Sequence, residues 1–165
     1  MEESALFKLS NGVYVLGAMD GERPVGCIVD VVTQIALKPL TLALSSSKIS
    51  YTRECIEKTK EFSVSVLSKK VDPFIIANFG FQSSRNVNKW EKADHFMDNG
   101  LPYLKDNIAT LRAKVVQEVL FESHKLFIAE ILDAKNGGEG EPLTYYDYRT
   151  YFKDEVFNAW KGAKK

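Results

Sequence analysis

Ala109 to Phe121 (ATLRAKVVQEVLF) and Lys125 to Ala134 (KLFIAEILDA) are long β-patterned runs separated only by Glu122, Ser123 and His124. That spacing predicts one long antiparallel hairpin. Gly12 to Ala18 and Val25 to Val32 predict a second hairpin, because both runs are apolar and Asp20-Gly21 between them is a turn signal. Leu40 to Leu44 alternates behind Pro39, and Phe62 to Leu67 (FSVSVL) alternates strictly, with Phe62, Val64 and Val66 on one face and serines on the other. Both read as strands, the second half-buried. Ser50 or Thr52 would cap a short helix running to about Lys60, and Asp72-Pro73 would open another through Asn78. Phe79 to Asn107 is irregular and rich in Gly, Asn and Ser, which predicts a long functional loop. With no β-α-β alternation, about six strands and two helices argue for a mainly β fold, an antiparallel barrel with short peripheral helices.

The charge balance removes several functions. Lys plus Arg number 22 and Asp plus Glu number 22 in 165 residues, so no global field draws the chain to nucleic acid or to an anionic membrane. Any charged ligand must be held locally. The acidic start Met1-Glu2-Glu3-Ser4 is unlike a secretory signal, and no apolar run nears the roughly 18 residues of a membrane span. With only Cys27 and Cys55, neither a disulfide scaffold nor a paired-cysteine metal site is expected. A soluble, cytoplasmic protein without a metal is the expectation. The fingerprints GxGxxG, GxxxxGK[ST], HExxH and GxSxG are absent, which disfavours a Rossmann domain, a P-loop, a zincin and an α/β-hydrolase.

Two polar segments could hold an anion. Ser45-Ser46-Ser47-Lys48 follows a strand and Ser50-Tyr51-Thr52 enters a helix, so hydroxyls, amides and a positive helix end converge. Serines before a helix also serve as simple caps. Phe79-Gly80-Phe81-Gln82-Ser83-Ser84-Arg85-Asn86, continuing to Lys89 and Trp90, offers a guanidinium fork and a point charge suited to a phosphate dianion. A solvated basic loop with aromatic anchors is the plainer alternative. Cys27 and Cys55 read as small packed hydrophobes, and the aromatic stretch Tyr145 to Phe152 and Trp160 as packing that could meet a partner subunit or a ligand.

GVYVLGAMDGERPVGCIVDVVTQIALKPLTLAL, SSSKISYT, FSVSVLS, FGFQSSRNVNKW, ESHKLFIAEILDA and GEPLTYYDYR, in that order from about residue 10 to 150, resemble the flavin-reductase-like FMN-binding split-barrel family. Within it the likeness is to the branch of flavoredoxin, ferric reductase and the flavin domain of high-molecular-weight rubredoxin. The resemblance implies an FMN-binding split β-barrel, Greek-key-like, over residues 1–153 with a tail at 154–165. It implies a homodimer with FMN at the interface. The ring would lie against the segment from Cys27 to Gln34, with Val31, Val32, Thr33 and Gln34 bonding its polar edge. Ser47, Lys48 and Thr52 would meet the phosphate, Arg85 and Lys89 would complete its neutralisation, and Ser45, Tyr51, Phe81 and Ser83 would also contact the cofactor. A histidine where His124 stands tends to lie near the flavin or the nicotinamide, where an imidazole could stabilise negative charge. The chain departs from the family at Asp30, often Asn, at Ser84-Arg85-Asn86, often Gly-Arg-Asp, and at Ala129, often Gly.

The activity implied is NAD(P)H-dependent reduction of the flavin, with NADH or NADPH as a transient donor and electrons leaving to free flavin, ferric iron, oxygen or an electron-acceptor protein. A non-catalytic FMN-binding electron-transfer protein is the alternative. A third reading keeps the barrel as a small-ligand module without flavin.

Overall fold

A computed structural model describes residues 1–164. Strand β1 (Tyr14–Asp20) and β2 (Arg23–Val29) form the expected hairpin, turning at Gly21 with φ +61°, followed by β3 (Val32–Leu37) and β4 (Leu40–Ser47). Then come α1 (Tyr51–Thr59), β5 (Glu61–Val66), α2 (Pro73–Gly80), β6 (His95–Asp98), β7 (Leu101–Leu104), β8 (Ala109–Leu120) and β9 (His124–Asn136). A helical run closes the fold: α3 (Tyr145–Asp147), a π-helical segment Tyr148–Phe152, and α4 (Lys153–Ala163).

Seven strands make one antiparallel sheet in the order β2-β1-β5-β8-β9-β4-β3. Its two edge strands, β2 and β3, are consecutive in the chain and separated only by Asp30 and Val31. The sheet therefore curls until its edges meet at that corner, and Leu16, Val25 and Val29 from one end share a core with Leu42, Leu44, Phe127 and Ala129 from the other. Burying side chains of this size stabilises by about 1.5–3 kcal/mol each before the entropy of ordering them is subtracted. A second core, with Val15, Leu67, Ile76, Trp90 and Val156, joins the outside of the barrel to α2 and α4.

The structure departs from the sequence reading in four places. The run Val25 to Val32 is not one strand: it ends at Val29 and a new strand starts at Val32 to form the other sheet edge. The stretch expected as one long loop folds partly into the hairpin β6–β7 and a short 3-10 turn at Lys89–Lys92. That hairpin covers the serine face of β5, so the strand is buried on both sides, with Ser63 and Ser65 each 1% exposed. Ser63 donates to the Pro102 carbonyl and Ser65 Oγ accepts from Leu104 N at 3.1 Å, which satisfies both hydroxyls without water. Gly17 makes this approach possible, since a Cβ there would lie 2.7 Å from the Pro102 carbonyl oxygen. The tail, which could form one or two amphipathic turns through Val156, Phe157 and Trp160, is a longer helix, Lys153–Ala163, with Val156 fully buried.

Candidate functional site

A cleft of about 360 Å³ opens where β2, the end of β4, the start of α1 and the segment after α2 converge. Local sequence rules place each wall. Ser50 caps α1 by accepting from Arg53 N at 3.4 Å, and Asp72 caps α2 by accepting from Phe74 N at 2.9 Å with Pro73 in the first turn. Strand alternation carries the inward face of β4 from Leu42 and Leu44 to Ser46. Ser46 is 2% exposed and belongs to the cleft lining, and its buried hydroxyl has no hydrogen-bond partner among the described residues. Such a group is costly to leave unpaired.

Lys89 is the second buried polar group of the cleft. It is 2% exposed, and its ammonium donates to the Phe79 carbonyl at 2.7 Å, the one hydrogen bond it makes among the described residues. Burial holds its pKa down to about 8. Cys27 faces the same space, where its sulfur accepts from Ser50 Oγ at 3.6 Å and burial pushes the thiol pKa up. A neutral thiol packed this way agrees with the hydrophobe reading, as does buried Cys55.

Of the residues expected from the sequence, Ser47, Tyr51, Thr52, Phe81, Ser83 and Lys89 line this cleft. Lys48 and Ser45 do not: Lys48 is exposed and its carbonyl accepts from Arg53 at 2.6 Å, while Ser45 lies beside Ser46 on β4, its amide bonded to the Val31 carbonyl at 3.0 Å. Arg85 stands at the rim rather than among the lining residues. Its guanidinium lies 4.3 Å from the centre of the Tyr51 ring and bonds Glu54 at 2.6 Å. Tyr51 in turn donates to Asp20 at 2.7 Å. Val31, Val32, Thr33 and Gln34 also fall outside the lining, just beyond Val29, which belongs to it. His124 is exposed at the β8–β9 turn, with Nδ1 2.9 Å from Ser123 Oγ, and is paired in register with Ser47.

Ser84 has a different task from its neighbours. Its hydroxyl accepts from Gly26 N at 3.0 Å and donates to Gly26 O at 2.7 Å, so it acts as a one-residue strand partner for the edge of β2. Gly26 is needed there, since a Cβ would lie 2.8 Å from the Leu16 carbonyl oxygen and 2.9 Å from the Phe79 ring. Arg23 adds a bond to the Ser84 carbonyl at 2.7 Å. The loop that departs from the family pattern is thus pinned by its own serine.

The sheet curls into a barrel with a serine- and lysine-lined cleft beside it, and residues 6–153 match the model of the flavin reductase like domain. The chain belongs to this family. It is 37% identical over 150 residues to high molecular weight rubredoxin from Moorella thermoacetica, covering 90% of this chain and 66% of that protein. It is 31% identical over 158 residues to the ferric-chelate reductase (NAD(P)H) of Archaeoglobus fulgidus, covering 94% of each. Among solved structures, the flavin reductase PheA2 in its native state superposes with a TM-score of 0.73 at 27% identity, covering 85% of this chain and 88% of that one. Among the described residues no helix is long and apolar enough to cross a membrane.

Proposed function

We propose that this flavin-reductase-like protein is an NAD(P)H-dependent flavin oxidoreductase that holds FMN in the cleft between β2, β4, α1 and the segment after α2. The observation that carries this reading is that one cleft lining includes Ser46, whose buried hydroxyl has no hydrogen-bond partner among the described residues, and Lys89, whose buried ammonium has one. Both line a cavity of about 360 Å³ on a fold whose relatives are named as flavin and ferric reductases. A phosphorylated, hydrogen-bonding ligand satisfies both groups, whereas an apolar one satisfies neither.

FMN, when bound, supplies the redox chemistry between a reduced nicotinamide and an electron acceptor, which no side chain of this protein provides. In this reading Ser46, Ser47 and Thr52 donate hydrogen bonds, Lys89 supplies a charge-assisted one, and the amino end of α1 adds a favourable dipole. Phe79 and Phe81 exclude water from one wall. Arg85 acts from the rim, where an incoming anion competes with Glu54 for its guanidinium. His124, beside Ser47, is placed to stabilise developing negative charge at the mouth or to position the nicotinamide. Val31 to Gln34 reach the ring only where it extends past Val29, and a second copy of the chain would complete that side. Free flavin, ferric iron, oxygen or a partner protein would take the electrons.

The test is an absorbance titration with FMN followed by addition of NADH and of NADPH. The expected result is saturable binding and consumption of at least one donor. A chain that takes up no FMN, or takes it up and oxidises neither donor, contradicts the reading. In the latter case electron carriage through protein partners is left.

A further inference from the structure

A second cavity, of about 230 Å³, lies behind the wall of the first. Val13, Ile28, Ile76, Phe81, Tyr145 and Tyr148 line it, and Ile28 and Phe81 face both cavities. Its chemistry is unlike that of the cleft. The lining has no charged side chain, and its polar side chains are two phenols, whose rings lie 5.8 Å apart and tilted by 31°. Both tyrosines are half-buried, and among the described residues neither phenol hydroxyl makes a hydrogen bond within the protein; partial burial pushes the Tyr148 pKa up. Tyr148 also begins the π-helical segment, a rare departure from α geometry found often at functional sites.

We infer that this cavity is a binding site for a small, neutral, flat ring bearing a carbonyl, which accepts hydrogen bonds from Tyr145 and Tyr148 and packs on Phe81 and Ile76. Size argues for one ring, since an apolar cavity of about 150 Å³ already takes benzene. At about 230 Å³ it is smaller than the roughly 300–1,000 Å³ of ordinary ligand pockets, which disfavours a whole dinucleotide or flavin. An anion is disfavoured because nothing in the lining offers it a charge. The partition is firm: Phe81 packs at 5.0 Å on Phe157 and 6.0 Å on Trp160, both from α4. A ring bound there stands one side-chain layer from the cleft without entering it. The inference does not rest on the identity of the cofactor.

Acetophenone is a suitable probe, with toluene as the ring lacking an acceptor. Saturation-transfer and chemical-shift NMR on the full chain, with and without FMN, should give saturable binding mapped to the Ile76 methyls and the Tyr145 and Tyr148 rings. Toluene should bind more weakly. The double variant Tyr145→Phe, Tyr148→Phe should lose about tenfold in acetophenone affinity, the effect of two hydrogen bonds, with FMN affinity unchanged. It should fold normally, because neither hydroxyl makes a hydrogen bond among the described residues. Absence of saturable binding, displacement of the probe by FMN, or undiminished affinity in the double variant would each overturn the inference.

Discussion

Lys89 has an ammonium that water would stabilise and a surrounding that does not. Its folded pKa of about 8 lies below the ordinary 10.5 because burial disfavours the charged form. The unfolded chain therefore binds more protons between those two values, and stability rises with pH across that window. We expect Lys89→Met to remove the rise and to stabilise the ligand-free protein at pH 7 by an amount on the order of 3 kcal/mol at most, checked by urea denaturation at pH 7 and 10. A phosphate bound beside Lys89 would reverse the preference. FMN affinity should be full below pH 8 and fall above it, with the dependence flattened in Lys89→Met, as read by flavin fluorescence. Ser46 gives the complementary case. Its unpaired hydroxyl contributes nothing to the free protein, so Ser46→Ala should leave the melting temperature unchanged or raised while weakening FMN binding about fivefold to tenfold. A parallel loss of stability would show that the hydroxyl is engaged within the fold.

Elements set which of these residues meet. The segment after α2 is held to β2 by Ser84, whose hydroxyl takes both the amide and the carbonyl of Gly26. Ser84→Ala leaves two buried backbone groups unpaired and should destabilise by about 1–3 kcal/mol. Hydrogen exchange should speed up at Gly26 and through the Phe81 to Asn88 segment, and FMN should bind more weakly although Ser84 need not touch it. Slow exchange at Gly26 in the variant would argue against the pin. The hairpins β1–β2 and β8–β9, both helix caps and β4 were legible in the sequence because each is written in local periodicity and turn chemistry. Ser46 was legible within the segment Ser45-Ser46-Ser47-Lys48, and the period-two pattern of LTLAL, continued through it, marks it as the inward-facing one of the three serines. The β6–β7 hairpin was not legible: its strands are four residues each, and what holds it is the serine face of β5, nearly 40 residues away. Arg85 and Lys89 looked equivalent as charges. Burial separated them, and burial is a property of the tertiary fold.

At the scale of the whole molecule, apolar side chains collect at one end of the barrel. Ile49 is 91% exposed and lines the cleft, while Leu120 and Phe121 are 64% and 55% exposed on the β8–β9 turn. Register brings them to the same end: Ser47 pairs with His124, Leu120 with Lys125, and Lys48 N donates to the Ser123 carbonyl at 3.0 Å. Exposed apolar clusters of this kind mark surfaces that another molecule covers. The segment Val31 to Gln34, expected to meet the flavin, is left outside the cleft of the single chain. A homodimer joined at this end would address both facts, and in an isologous pair each cleft mouth would be covered by the other copy. We expect sedimentation equilibrium to give a dimer. The double variant Ile49→Glu, Phe121→Glu should be monomeric, with its melting temperature little changed because neither side chain belongs to a core, and with FMN affinity reduced along with dimerisation. A monomeric wild type, or a monomeric variant that binds FMN as tightly as the dimer, would show that the cleft is complete within one chain and that the apolar end serves a different partner.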